Sequence, residues 1–125
     1  MAAEELAKDV RRVADRLRSL SGPRLAADCP PYGTVADAGR TAAAALAAAA
    51  CALAGAEPRP LPRLGDFAVG DQVAVTGRDL LDALSAAGPI LTDPGDADPG
   101  ADHRADLPPE AARAAEVLAD VRRRI

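Results

Sequence analysis

The architecture turns on DFAVGDQVAVTGRDLLDALSAA, residues 66–87. Its centre admits two readings. Val73 and Val75, flanked by Gly70 and Gly77, fit the alternation of a β-strand. The rest of the chain offers no credible partner strand, and a lone strand leaves its backbone groups unpaired. Read as a helix, the stretch puts Phe67, Gly70, Ala74, Gly77, Leu81 and Leu84 on one face, with Val69, Val73 and Leu80 beside them. Gly70 and Gly77 each cost about 1 kcal/mol relative to Ala in a helix. A helix packed closely over them would tolerate both. The helical reading is favoured, with a kink expected near Gly77.

Three more segments read as helices. Residues 3–20 carry Leu6, Val10, Val13, Leu17 and Leu20 at spacings of 4, 3, 4 and 3, the rhythm of a bundle seam. Glu4–Lys8 and Arg11–Asp15 are expected as ion pairs one turn apart. Ser21-Gly22-Pro23 stops this helix. After a connection from Pro23 to Gly33, residues 35–54 repeat Val35, Gly39, Ala42, Leu46, Ala49 and Leu53 in the same rhythm. Thr34 with Asp37 is the expected N-cap, and Gly55 the C-cap. The link containing Pro58, Pro60 and Pro62 reads as a short, stiff interhelical connector. Residues 110–124 carry Ala111, Ala114, Leu118 and Val121, continued by Ile125, with Pro109 at the first turn. Residues 88–109 form a long irregular loop.

Composition agrees with helices. The chain has 125 residues, of which 32 are alanine and 25 are Leu, Ile, Val or Phe; it has one Phe, one Tyr and no Trp. A β-sandwich or barrel needs more β-branched and aromatic residues. A stacking platform for single-stranded nucleic acid is excluded for want of aromatics. The net charge of −4 argues against general nucleic-acid binding. The expected architecture is therefore all-α: an up-and-down four-helix bundle with an Ala-rich core, one domain over residues 1–125. The alanines of the second helix are expected to lie opposite the glycines of the third.

Few side chains suggest chemistry. Asp93, Asp96, Asp98, Asp102 and Asp106 fail the spacing of a Ca²⁺ loop. His103 is the single histidine, so no histidine-based zinc triad forms within one chain. Cys29 precedes a helix N-terminus, where a thiolate can be stabilised. Cys51 reads as a core residue. The helix between the two cysteines is about 25 Å long at 1.5 Å per residue, too long for a disulfide across it. Arg40 is expected to pair with Asp71 or Asp79 if either faces inward, and Arg122, Arg123 and Arg124 to solvate the C-terminus. No catalytic, cofactor-binding or metal-binding residue is assigned, and no cofactor. The N-terminus reads as no secretory signal, and Thr41 to Ala56 is too short to span a bilayer. A cytoplasmic protein with free thiols is the expectation.

Two phrases resemble the DinB-like superfamily, specifically its mycothiol-dependent maleylpyruvate isomerase branch. Cys29, Pro30, Pro31, Tyr32, Gly33, Thr34, Val35, Ala36 and Asp37 are similar to the family's C-P-G-W-T-V-x-D phrase, with one extra residue in the turn. DQVAVTGRDL is similar to a later helix, E-L-x-V-H-G-x-D-L, with Gly77, Asp79 and Leu80 matching. The resemblance implies a four-helix bundle. It places the family's metal-binding histidines on Thr41 and Thr76, so it implies that the metal site and the thiol-transfer chemistry are lost.

The functional expectation is a non-catalytic helical protein acting through protein–protein contacts or self-association. A homodimer would add core to a chain whose large apolar residues are few, each buried Leu contributing about 1.5–3 kcal/mol. The alternative is a small-molecule or thiol-cofactor binding bundle derived from a DinB-like enzyme. That alternative requires an interior pocket with converging polar groups.

Overall fold

Leu6, Val10, Val13 and Leu17 are buried and define the inner stripe of the first helix, α1 (Ala2–Ser19), and Leu20, just past its end, is buried too. The computed structural model describes residues 2–86 and 107–125. The Asp-rich stretch and His103 lie outside the described residues. A four-residue helix, α2 (Gly22–Leu25), follows α1 and buries Leu25. Two short strands, β1 (Asp28–Cys29) and β2 (Gly33–Thr34), pair antiparallel around a Pro30–Pro31 turn. The long helices are α3 (Val35–Ala54), α4 (Val69–Ala86) and α5 (Pro109–Arg124). A 3-10 turn, Asp66–Ala68, leads into α4.

The stretch 69–86 is a helix, continuous through Gly77. Thr34 and Asp37 close a reciprocal capping box on α3: Thr34 Oγ1 accepts from the Asp37 N–H and Asp37 Oδ2 from the Thr34 N–H. Gly55 ends α3 at φ 67°, a left-handed conformation that costs glycine nothing. The connection 23–33, expected to be irregular, contains α2 and the strand pair. Val35 N–H donates to Ala27 O, so the start of α3 is tied back across this turn.

The four long helices form the expected all-α bundle, and their arrangement follows from the close contacts. Gly70 lies against Ala14 and Arg18, and Gly77 against Val10, so α4 runs antiparallel to α1. Gly39 receives Val69, and Arg40 reaches Asp66, so α3 and α4 begin at the same end. These two helices pack extensively along each other and therefore run parallel. Asp120 and Arg124 reach the turn that precedes α3, so α5 is antiparallel to α3. The resulting order is up, down, down, up, with α1 and α3 at opposite corners. Strict alternation would need a short link between α3 and α4. Here residues 55–65 instead run back along the bundle, a long crossover of the kind such bundles accept. Extended chain at about 3.3 Å per residue covers the length of a 20-residue helix in this distance.

The inner stripe of α4 is rotated from the expected one. Val69, Val73 and Leu80 are fully buried at its centre, whereas Phe67 is 74% exposed. The glycine ridge, Gly70 and Gly77, meets α1 and not the alanines of α3. Those alanines do line a seam: Ala36, Ala38, Ala42, Ala43 and Ala49 are buried together with Leu46. The stripe of α5 is as expected, with Ala111, Ala114, Leu118 and Val121 buried. No described helix is long and apolar enough to cross a membrane.

Candidate functional site

The returning strap places Leu61, Pro62 and Leu64 beside the start of α4. Between them and Ala68, Asp71, Gln72, Val75 and Thr76 runs an open groove of about 240 Å³. Leu64 is 43% and Val75 60% exposed. Two large apolar side chains thus face solvent on opposite walls of one groove.

Two polar side chains, Gln72 and Arg40, hold the walls together, and a third, Thr76, is tied to its own helix. Gln72 is buried, and its Nε2 donates to Pro62 O at 2.8 Å. Thr76, also buried, donates from Oγ1 to Gln72 O at 2.7 Å, back along its own helix. Arg40 anchors the upper end: Nη2 donates to Asp66 Oδ1 at 2.6 Å and to Leu64 O at 3.1 Å, and Nη1 to Asp37 Oδ1 at 2.9 Å. The Asp66 carboxylate, foremost, raises the Arg40 guanidinium above its ordinary value, with Asp37 adding to it. The Thr34 backbone N–H, and then its hydroxyl, hold the Asp37 carboxyl below the usual range. The strap is therefore bound by charge-assisted hydrogen bonds at one end and by a side-chain amide near its middle.

This corrects the expected pairing of Arg40 with Asp71 or Asp79. Those aspartates sit on the outer side of α4, and Asp71 binds Arg18 of α1 at 2.7 Å. Two ion pairs on α1 are spaced three residues apart, not four. Lys8 meets Glu5 at 3.7 Å and Arg18 meets Asp15 at 3.5 Å.

A second cluster sits where α5 ends. Tyr32 Oη donates to Asp120 Oδ2, which also accepts from Arg124 Nε at 2.8 Å. Arg123 reaches Asp120 Oδ1 at 3.2 Å, and Arg124 Nη1 reaches Pro30 O at 3.2 Å. Arg124, and then the Tyr32 hydroxyl, hold the Asp120 carboxyl far below its ordinary value. The same Asp120 hydrogen bond raises the Tyr32 phenol. Arg122 pairs with Asp9 at 2.9 Å, in a wider depression also lined by Ala119 and Arg123. Arg122 and Arg124, expected to solvate the end, instead tie α5 to α1 and to the turn, whereas Arg123 pairs within its own helix.

The remaining candidates fall into structural places. Cys29 is buried in β1, with Sγ 4.0 Å from Arg124 O. Cys51, expected in the core, is half-buried because it lies on the flank of α3; both thiols are free. Thr41 is exposed and donates to Asp37 O at 3.0 Å, whereas Thr76 is buried. The two threonines do not meet in a hydrogen bond, and each hydroxyl is spent on a carbonyl of its own helix. Among the described residues, no group of three or more His, Cys, Asp or Glu side chains is placed to hold a metal ion.

Sequence reasoning missed the groove itself. It placed Phe67 in the core and gave Leu61 and Leu64 no partner. The available signal was two leucines three positions apart within a proline-rich link, a spacing that a merely solvated connector does not need. No protein-family model, curated protein or solved structure matches this chain.

Proposed function

We propose that this chain is a non-catalytic interaction module that works through the groove between the strap and α4. The observation that carries this reading is the exposure of Leu64 and Val75 across an apolar groove whose walls are held by Gln72 and Arg40. A rigid, preformed apolar surface keeps the ordering cost of binding low. The polar groups that could have carried chemistry are engaged in structural bonds: Asp37 in a cap, Arg40 on the strap, Thr76 on its own helix, and Tyr32 on Asp120. A ligand-binding bundle would need a chamber among the helices. Instead, Leu25, Leu46, Leu80, Leu118, Val69 and Val73 fill the described interior.

The test compares the wild-type chain with Val75→Arg as baits for chemical crosslinking in cells. Val75 is already solvent-facing, so the substitution spares the fold. Crosslinked partners, further copies of the chain included, are expected with the wild type and lost with Val75→Arg. An identical crosslinking pattern for both baits would overturn the reading.

A further inference from the structure

We infer that the groove is covered by a second copy of this chain, in a two-fold arrangement that sets the strap of each copy against α4 of the other. This rests on the reading of the groove as an interaction surface, and it names the partner. The two walls of the groove are apolar and continue, beyond the lining itself, into surfaces of different charge. The strap carries Glu57, Arg59 and Arg63, a net charge of +1, all exposed. The outer side of α4 carries Arg78, Asp79 and Asp82, a net charge of −1, also exposed; Asp71 is already neutralised by Arg18. None of those six charges forms an ion pair or hydrogen bond among the described residues.

A two-fold axis lying along the groove exchanges its sides. The basic strap of one copy then faces the acidic α4 of the other, and the same contact is made twice. Leu64 of each copy meets Val75 of its partner, so the apolar side chains are covered in the same step. A surface of one sign on both flanks would repel its own copy; this one, with opposite net signs flanking opposite walls, complements itself.

Sedimentation velocity on the full chain tests the inference. The wild type is expected to show a dimer whose population rises with concentration, and Val75→Asp a monomer with unchanged helical circular dichroism. Two reversed chains make the decisive comparison. Arg59→Asp with Arg63→Asp makes both walls acidic, and Asp79→Arg with Asp82→Arg makes both basic. Each alone is expected to be monomeric, and their equimolar mixture dimeric, because each acidic wall then meets a basic one. A monomeric wild type at millimolar concentration, reversed chains that dimerise alone, or a mixture that stays monomeric would each overturn the inference. If the wild type is monomeric yet Val75→Arg still abolishes crosslinks to another protein, the second copy is excluded and the interaction reading stands. Loss of both fails both.

Discussion

Val69 of α4 fills the hollow left by the missing side chain of Gly39 on α3. Leu17 of α1 closes the same hollow, with Cδ1 2.9 Å from where a Gly39 β-carbon would stand. Three helices thus meet over one absent methyl group. Gly39→Ala gains about 1 kcal/mol of helix propensity and loses about 1–3 kcal/mol to overpacking, because the stiff β-branched Val69 cannot swing aside. A net loss of stability is expected in urea denaturation. Combined with Val69→Ala, the two changes should be non-additive by more than about 0.5 kcal/mol. Strict additivity would show that the hollow is not shared.

Arg40 holds the upper end of the strap to α3. Replacing it with Met keeps the aliphatic stem and removes three hydrogen bonds, two of them to carboxylates. The expected loss is about 1.5–3 kcal/mol, the range for hydrogen bonds to charged groups. Trypsin should also cut faster after Arg63, since the strap opens more often. An unchanged cleavage rate would mean that Gln72 alone holds the strap.

Acid should weaken the fold. The Asp37 and Asp120 carboxyls sit below their ordinary values in the folded chain. The unfolded chain therefore takes up protons first as pH falls through about 4. The stability that these groups contribute is fully present above that point and lost progressively below it. Asp120→Asn should flatten the acid limb of melting temperature against pH. A limb as steep as in the wild type would remove Asp120 from this role.

Alkali should act on the same cluster from the other side. The Tyr32 phenol is raised by its hydrogen bond to Asp120, so its contribution is present below about pH 10 and lost as pH rises through the folded value. Tyr32 is the single tyrosine, so an ultraviolet titration reads it directly. Asp120→Asn should move that titration back toward the ordinary range.

Thr34→Ala removes one half of the capping box on α3 and should cost about 1 kcal/mol. Thermal melting followed by circular dichroism checks this. A change within error would mean that Asp37 Oδ2 on the Thr34 N–H carries the cap alone.

Helix ends were the most legible part of this chain. Thr34, Asp37, Gly55 and Pro109 act through bonds to their own neighbours, and each stands where local chemistry puts it. The stripes of α1 and α5 were legible too, since their large residues all point one way. The stripe of α4 was not. Its small and polar residues, Gly70, Gln72, Thr76 and Gly77, are buried for reasons that lie on other elements: α1 presses on the glycines, and the strap accepts from Gln72. The groove escaped notice for the same reason. Leu61 and Leu64 form a wall only because the strap turns back along α4.

Local sequence alone made this chain helical, placed the ends of α1, α3 and α5 to within a residue or so, and lined the seams with alanine. Those properties rest on caps, prolines and periodic spacing, all of which act within a few residues. That α3 and α4 run parallel, that the glycine ridge meets α1, and that Arg40 binds Asp66 was settled by tertiary packing. Such choices depend on which faces fit closest and which charges end up adjacent. They join residues far apart along the chain, and a heptad does not record its neighbour.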